Sequence, residues 1–140
     1  MPIRTPYLAT DSVIECFNEM DEFEGIVLIE RKNAPHGLAL PGGFVDVGER
    51  VEDACRREMK EETGLDVKLQ HLLGVYSDPE RDPRFHSVSV VYVSRARGLP
   101  VGGDDAKTAH LFHFSRIPWE KLVFDHEKIL RDYLEYKDRC

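Results

Sequence analysis

Glu58, Glu61 and Glu62 fall within five residues of one another, inside a segment, 50–63, that reads as an amphipathic helix closed by Gly64. At 100° per residue Val51, Ala54 and Cys55 share one face, and that face runs on into the three glutamates. Glu52, Asp53, Arg56 and Lys60 occupy the opposite, solvated side. An ordinary surface helix would account for Glu52 with Arg56 and Asp53 with Arg57 as intrahelical pairs. It accounts poorly for three carboxylates on an apolar stripe. Glu58 and Glu62 are like charges four residues apart, a repulsion of roughly 0.2–0.5 kcal/mol on an exposed helix, and burial enlarges it. A hard divalent cation with oxygen ligands is the natural counter-charge, and Mg²⁺ usually shares itself with substrate phosphates. The neighbouring residues extend this reading. Gly42-Gly43 lets the backbone approach closely enough for a carbonyl to join a metal shell. Glu49 stands where it could pair with Arg57 and hold the preceding loop to the helix.

Positioning these groups requires a sheet and a second helix. Strands are expected over 13–17, 26–29, 38–41, 69–76, 87–95 and 110–114, and a second helix over 125–137 with Ile129, Leu130, Tyr133 and Leu134 as its apolar stripe. Within 87–95, Val88, Val90 and Tyr92 should face one side and Val91 and Val93 the other. This order predicts an α/β fold with helices on both faces of a mixed sheet. The 140 residues read as a single domain, 1–140, with neither repeat nor long linker.

The charge balance narrows the partners. Asp and Glu number 26 against 19 Lys and Arg, a formal charge of −7. That argues against nucleic acid or an anionic membrane as partner, and no apolar run is long enough to span a bilayer. A small phosphorylated substrate stays compatible, because a bound cation reverses the local sign. The first ten residues lack the apolar core of a signal peptide. Cys16, Cys55 and Cys140 form neither a zinc pattern nor a disulfide framework, so a cytoplasmic setting is expected.

Gly43, Glu49, Arg57, Glu58, Glu61, Glu62 and Gly64, with Met59 and Leu65 at the apolar positions, stand in the pattern G-x5-E-x7-R-E-U-x-E-E-x-G-U. At average residue usage the seven fixed positions would coincide by chance on the order of once in 10⁸ starts. The segment resembles a complete Nudix box. The resemblance implies a Nudix α/β/α sandwich and hydrolysis of a nucleoside diphosphate linked to another group. It implies Glu58, Glu61 and Glu62 as metal-binding catalytic carboxylates, Gly42 or Gly43 as backbone ligand, and Glu49 with Arg57 as a structural pair. Mg²⁺ is the expected cation, with Mn²⁺ as an alternative. Divalent cations neutralise phosphate charge and acidify water, and a carboxylate takes the proton. Neither Cys55 nor His86 is needed as a nucleophile.

The box leaves the substrate open. Pro79 lies fifteen residues after Gly64, and the run Asp78-Pro79-Glu80-Arg81-Asp82-Pro83-Arg84-Phe85-His86 resembles the compact bacterial and archaeal ADP-ribose pyrophosphatases. So do Gly102 to Lys107 and Phe124-Asp125-His126. The substrate expected on this basis is ADP-ribose, cut to AMP and ribose 5-phosphate. Two alternatives are hydrolysis of oxidised or non-standard nucleoside triphosphates and a non-catalytic nucleotide-sugar sensing module. Arg81 or Arg84 would reach a phosphate or the terminal ribose. The plain reading of that loop is a Pro-stiffened turn with self-paired charges. Asp125 would cap the second helix or accept from the adenine amino group. Asp104 and Asp105 are candidates for the base or an extra metal ligand. Phe124, Phe44, Tyr7 and Phe85 are candidates to stack on adenine. A homodimer is left open.

Overall fold

The computed structural model describes residues 2–101 and 108–140. Among them a mixed seven-stranded sheet carries a helix on each face. Strand β1 (Tyr7–Phe17) runs up its middle. It pairs in parallel with β6 (Ser87–Arg97), from Tyr7 opposite Ser87 to Phe17 opposite Arg97. The other strand pairs among the described residues are antiparallel. β2 (Phe23–Glu30) flanks β1 and carries both the short β3 (Leu38–Ala39) and β7 (Thr108–Phe112). β4 (Gly42–Phe44) pairs with the first half of β1, and β5 (Lys68–Tyr76) borders β6.

Alternation along the strands builds one core on each face. Val13, Ile26, Leu28, Val91 and Val93 pack with Ile129, Leu130 and Tyr133 of helix α2 (His126–Arg139). On the other face Ile14, Cys16, Val27 and Ile29 pack with Cys55 and Met59 of helix α1 (Val51–Thr63). This is the expected layered arrangement, and Val91 and Val93 do face away from Tyr92. No helix among the described residues is long and apolar enough to cross a membrane.

The strands differ from expectation mainly in extent. β1 begins at Tyr7 rather than at residue 13. Its polar stretch Thr10-Asp11-Ser12 gives no alternating apolar signal, yet all three residues are buried. Their hydroxyls are satisfied across the sheet. Thr10 Oγ1 donates to the Val90 carbonyl at 2.7 Å, and Ser12 Oγ donates to the Tyr92 carbonyl at 2.9 Å and lies 2.8 Å from Ser94 Oγ. β7 sits two residues earlier than expected, in register with β2 from Ile26 opposite Phe112 to Glu30 opposite Thr108. The expected strand over 38–41 shortens to β3, Leu38–Ala39, and Gly42–Phe44 forms a separate strand, β4, that pairs with β1 instead of β2.

Candidate active site

Two adjacent strands set the floor of the site. In the β1–β4 ladder Asp11 lies opposite Gly42 and Thr10 opposite Gly43. Helix α1 crosses above and brings two carboxylates against these glycines. Glu62 Oε1 accepts from the Gly42 backbone N–H at 2.7 Å. The Glu58 carboxylate rests against Gly43 so closely that a Cβ there would overlap it. A Cβ on Gly42 would likewise overlap Asp11. The two glycines are therefore required by close approach: three carboxylates lean on bare backbone. Gly64 ends the helix in the left-handed region at φ 73°, its N–H donating to the Lys60 carbonyl, as expected of this residue.

Arg57 organises the outer side of the helix. It grips Glu49 through two bonds, Nε to Oε2 at 2.8 Å and Nη2 to Oε1 at 2.9 Å. The expected Glu49–Arg57 pair is thus a bidentate fork, and it holds the Glu49 carboxyl below its ordinary range. Arg57 also donates to Glu58 Oε1 at 2.9 Å, to Glu61 at 3.4 Å and to the Phe44 carbonyl at 3.2 Å. Asp53 pairs with Arg56 at 3.1 Å rather than with Arg57.

The glutamates do not occupy one stripe as the helical wheel suggested. The buried residues of α1 are Ala54, Cys55, Met59 and Thr63. Glu58, with 14% of its side chain exposed, and Glu62 edge this stripe. Glu61 is 58% exposed and leans on Arg57. Among the described residues no three acidic, His or Cys side chains enclose a common point, because Arg57 and the Gly42 N–H draw the carboxylates apart. The donor set still fits a hard cation. Burial pushes the Glu62 carboxyl up to about 7, with Glu58 adding to the rise, and raises Glu58 as well. Burial also brings Asp11 up to about 6, although Ser89 Oγ donates to it. Desolvated oxygen ligands with raised pKa values are groups that a divalent cation would stabilise in their charged form.

Asp11 and Glu62, but not Glu58 or Glu61, line a cleft of about 270 Å³. Asp11, Gly42, Gly43 and Glu62 form one cluster of its lining, and Arg31, Lys32, Arg84 and Phe124 another. The guanidinium of Arg31 lies 4.9 Å from the Phe124 ring centre and that of Arg84 5.4 Å from it. These are cation–π distances. Arg84 is held by Asp82, Nε to Oδ1 at 3.0 Å and Nη2 to Oδ2 at 2.8 Å, which is the self-paired charge expected in this loop. Phe44, also in the lining, belongs with Tyr7 and Phe85 to an aromatic group with ring centres 4.7–5.9 Å apart.

Arg81 reaches the cleft wall, but its fork is taken up by Asp125, which lies outside the cleft lining. Arg81 donates from Nε to Asp125 Oδ2 at 2.9 Å, from Nη2 to Oδ1 at 2.7 Å and from Nη1 to Ser87 Oγ at 2.9 Å. Each of its three nitrogens is engaged within the protein. Asp125 stands at the N-cap position of α2 but makes no side-chain capping bond, so the expected cap is replaced by this ion pair. His86 Nε2 lies 3.1 Å from the Ser77 carbonyl, a loop contact. Asp104 and Asp105 lie outside the described residues.

Sequence reasoning assigned no role to three cleft residues. Asp11 is a lone acid within a run of small residues in β1. Arg31 comes after Glu30 at the end of β2, where the charged run following the apolar residues 26–29 was its only signal. His126 lies beneath the site, and its Nδ1 accepts the Leu40 N–H at 2.9 Å. Only the fold brings Leu40 and His126 together.

The comparisons with known proteins agree with this fold. A family model described as NUDIX domain matches residues 6–133. An ADP-ribose pyrophosphatase of Methanocaldococcus jannaschii is 50% identical over 136 residues, covering 95% of this chain and 76% of that protein. A MutT/nudix family protein of Enterococcus faecalis superposes with a TM-score of 0.79 at 32% identity, over 97% of this chain, which spans 63% of the length of that one. A second, from Listeria innocua, gives 0.75 at 31% identity with 97% of both chains covered. The box residues, the sheet with a helix on each face and these likenesses converge, and the chain belongs to the Nudix hydrolase family.

Proposed function

We propose that this chain hydrolyses ADP-ribose to AMP and ribose 5-phosphate in a reaction dependent on a divalent cation, Mg²⁺ with Mn²⁺ as the alternative. The observation that carries the reading is a single cleft holding Asp11, Gly42, Gly43 and Glu62 together with Arg31 and Arg84. Such a cleft suits a diphosphate, which needs both a cation and direct anion contacts. The likeness to the archaeal enzyme supports ADP-ribose among diphosphates.

Glu58 and Glu62, with Glu61 at the rim and a carbonyl of Gly42 or Gly43, would hold the cation. When bound, it supplies neutralisation of the phosphate oxygens and acidifies water. The chain's own groups do the rest. Glu49 and Arg57 fasten the loop over 45–50 to α1, so Glu58 and Glu62 keep their places against β4. Arg31 and Arg84 receive the anionic part of the substrate, and the aromatic group at Phe44 offers a face to adenine. A carboxylate of the acidic cluster takes the proton of the attacking water. Asp104 and Asp105 stay candidates for a base or extra ligand. The cytoplasm is the proposed setting, on the cysteine usage of the sequence.

The test is kcat/KM with Mg²⁺ on ADP-ribose, NADH, diadenosine tetraphosphate and 8-oxo-dGTP, with products separated by chromatography. The expected result is ADP-ribose ahead by about tenfold or more, with AMP formed. A lead for 8-oxo-dGTP would replace the substrate, and tight binding of ADP-ribose without turnover would make the protein a sensor.

A further inference from the structure

We propose that the Arg81–Asp125 ion pair is a positioning device for substrate recognition. It sets Arg84 and Phe124 in the cleft and touches no substrate itself. The proposal rests on the ADP-ribose reading given above. The two residues are 44 positions apart and join the loop after β5 to the start of α2. The pair is deeply set, with side chains 5% and 18% exposed. Its two parallel bonds and the third to Ser87 define the orientation of Arg81 completely, which a single-point contact would not do.

What the pair positions follows from its chain neighbours. Asp82 comes directly after Arg81, and it holds Arg84 by two side-chain bonds while accepting the Arg84 backbone N–H at 2.9 Å. Phe124 comes directly before Asp125, and its ring carries the guanidiniums of both Arg31 and Arg84. The loop and the helix start therefore meet twice, once at the buried pair and once at the Arg84–Phe124 contact in the cleft. Phe124 has φ 57°, in the left-handed region. A residue with a Cβ persists there only where its surroundings hold it, and the anchored carboxylate of Asp125 is the adjacent restraint. Asp125 forgoes the cap of α2 to provide it.

Arg81 and Phe124 are also a shared wall. Behind them lies a second groove, lined further by Tyr76, Lys128 and Asp132. A test must therefore keep the bulk of Arg81 while removing its fork, which Arg81→Met does. Asp125→Asn is the milder partner, because it retains one acceptor oxygen. The full chain and its Arg81→Met, Asp125→Asn and doubly substituted forms are compared by steady-state kinetics on ADP-ribose and 8-oxo-dGTP with Mg²⁺, and by thermal unfolding.

The expected result is a rise of about tenfold in KM for ADP-ribose in each single variant, with kcat within about threefold of the parent. The double variant should be no worse than the poorer single one, since both substitutions break one unit. The preference for ADP-ribose over 8-oxo-dGTP should fall in parallel. Multiplying effects would mean two independent substrate contacts and overturn the proposal. A fall in kcat at constant KM would overturn it too. So would equal losses on both substrates that track a lowered Tm, the mark of a merely structural pair. Should the parent protein turn over 8-oxo-dGTP and not ADP-ribose, the substrate reading fails by itself. The pair is then judged on KM for 8-oxo-dGTP, where a joint rise supports positioning and a flat KM refutes it.

Discussion

His126 should make the protein acid-labile in a way that one substitution removes. Its imidazole is 3% exposed and its Nδ1 accepts the Leu40 N–H, so the neutral ring, with the proton on Nε2, is the form that fits. Burial lowers its pKa to about 3, with the charges of Arg81 and Arg31 adding to the effect and Asp82 opposing it. In the unfolded chain the ring titrates near 6.5. The unfolded state therefore takes up the proton first. The stability that depends on the neutral ring is fully present above pH about 6.5 and is lost as pH falls toward about 3. At about 1.36 kcal/mol per pH unit, the loss between pH 8 and pH 5 is about 2 kcal/mol. His126→Asn places an amide oxygen where Nδ1 accepts, does not titrate, and leaves a small void costing about 1–2 kcal/mol. Urea unfolding in a chelating buffer should show the parent ahead by that amount at pH 8. The gap should close by about 2 kcal/mol at pH 5. Glu62 and Asp11 also titrate, but they do so in both proteins and cancel in the difference. A gap that stays constant or widens in acid would refute the assignment of a neutral, buried acceptor.

Other substitutions test the carboxylates and the cleft. Glu62→Gln keeps an acceptor for the Gly42 N–H, so folding should persist while kcat falls by roughly 10²–10⁴-fold; a loss under tenfold would remove Glu62 from the chemistry. Gly43→Ala places a Cβ onto the Glu58 carboxylate, and steady-state rates should drop far more than Tm does. Arg84→Ala deletes a charge-assisted contact of about 1.5–3 kcal/mol, seen as a rise in KM for ADP-ribose of roughly 10–100-fold; an unchanged KM would make Arg84 a loop residue only. EDTA should abolish turnover and excess Mg²⁺ restore it, with activity surviving chelation as the contrary result.

The helix, its Gly64 terminus and the Glu49–Arg57 pair were legible because each rests on residues close in the chain, where spacing alone sets geometry. The full length of β1 was not, since Thr10, Asp11 and Ser12 lack a strand's apolar alternation and are satisfied only when β6 supplies carbonyls and a hydroxyl for them. The wheel likewise overstated the convergence of Glu58, Glu61 and Glu62. Angular position on a helix says which way a side chain leaves, and Arg57 and the Gly42 N–H decide where it ends.

Residue type and local spacing by themselves determined the family and the layered α/β architecture. These depend on periodicity and on a motif contained in 23 residues, from Gly43 to Leu65. Tertiary structure alone decided that Arg81 and Asp125 spend themselves on each other, that Asp11 lies under Gly42, and that Arg31 and Arg84 share one aromatic ring. Each of those relations joins residues far apart in the chain. Their energies come from burial and from donors and acceptors that distant strands deliver, so no local pattern encodes them.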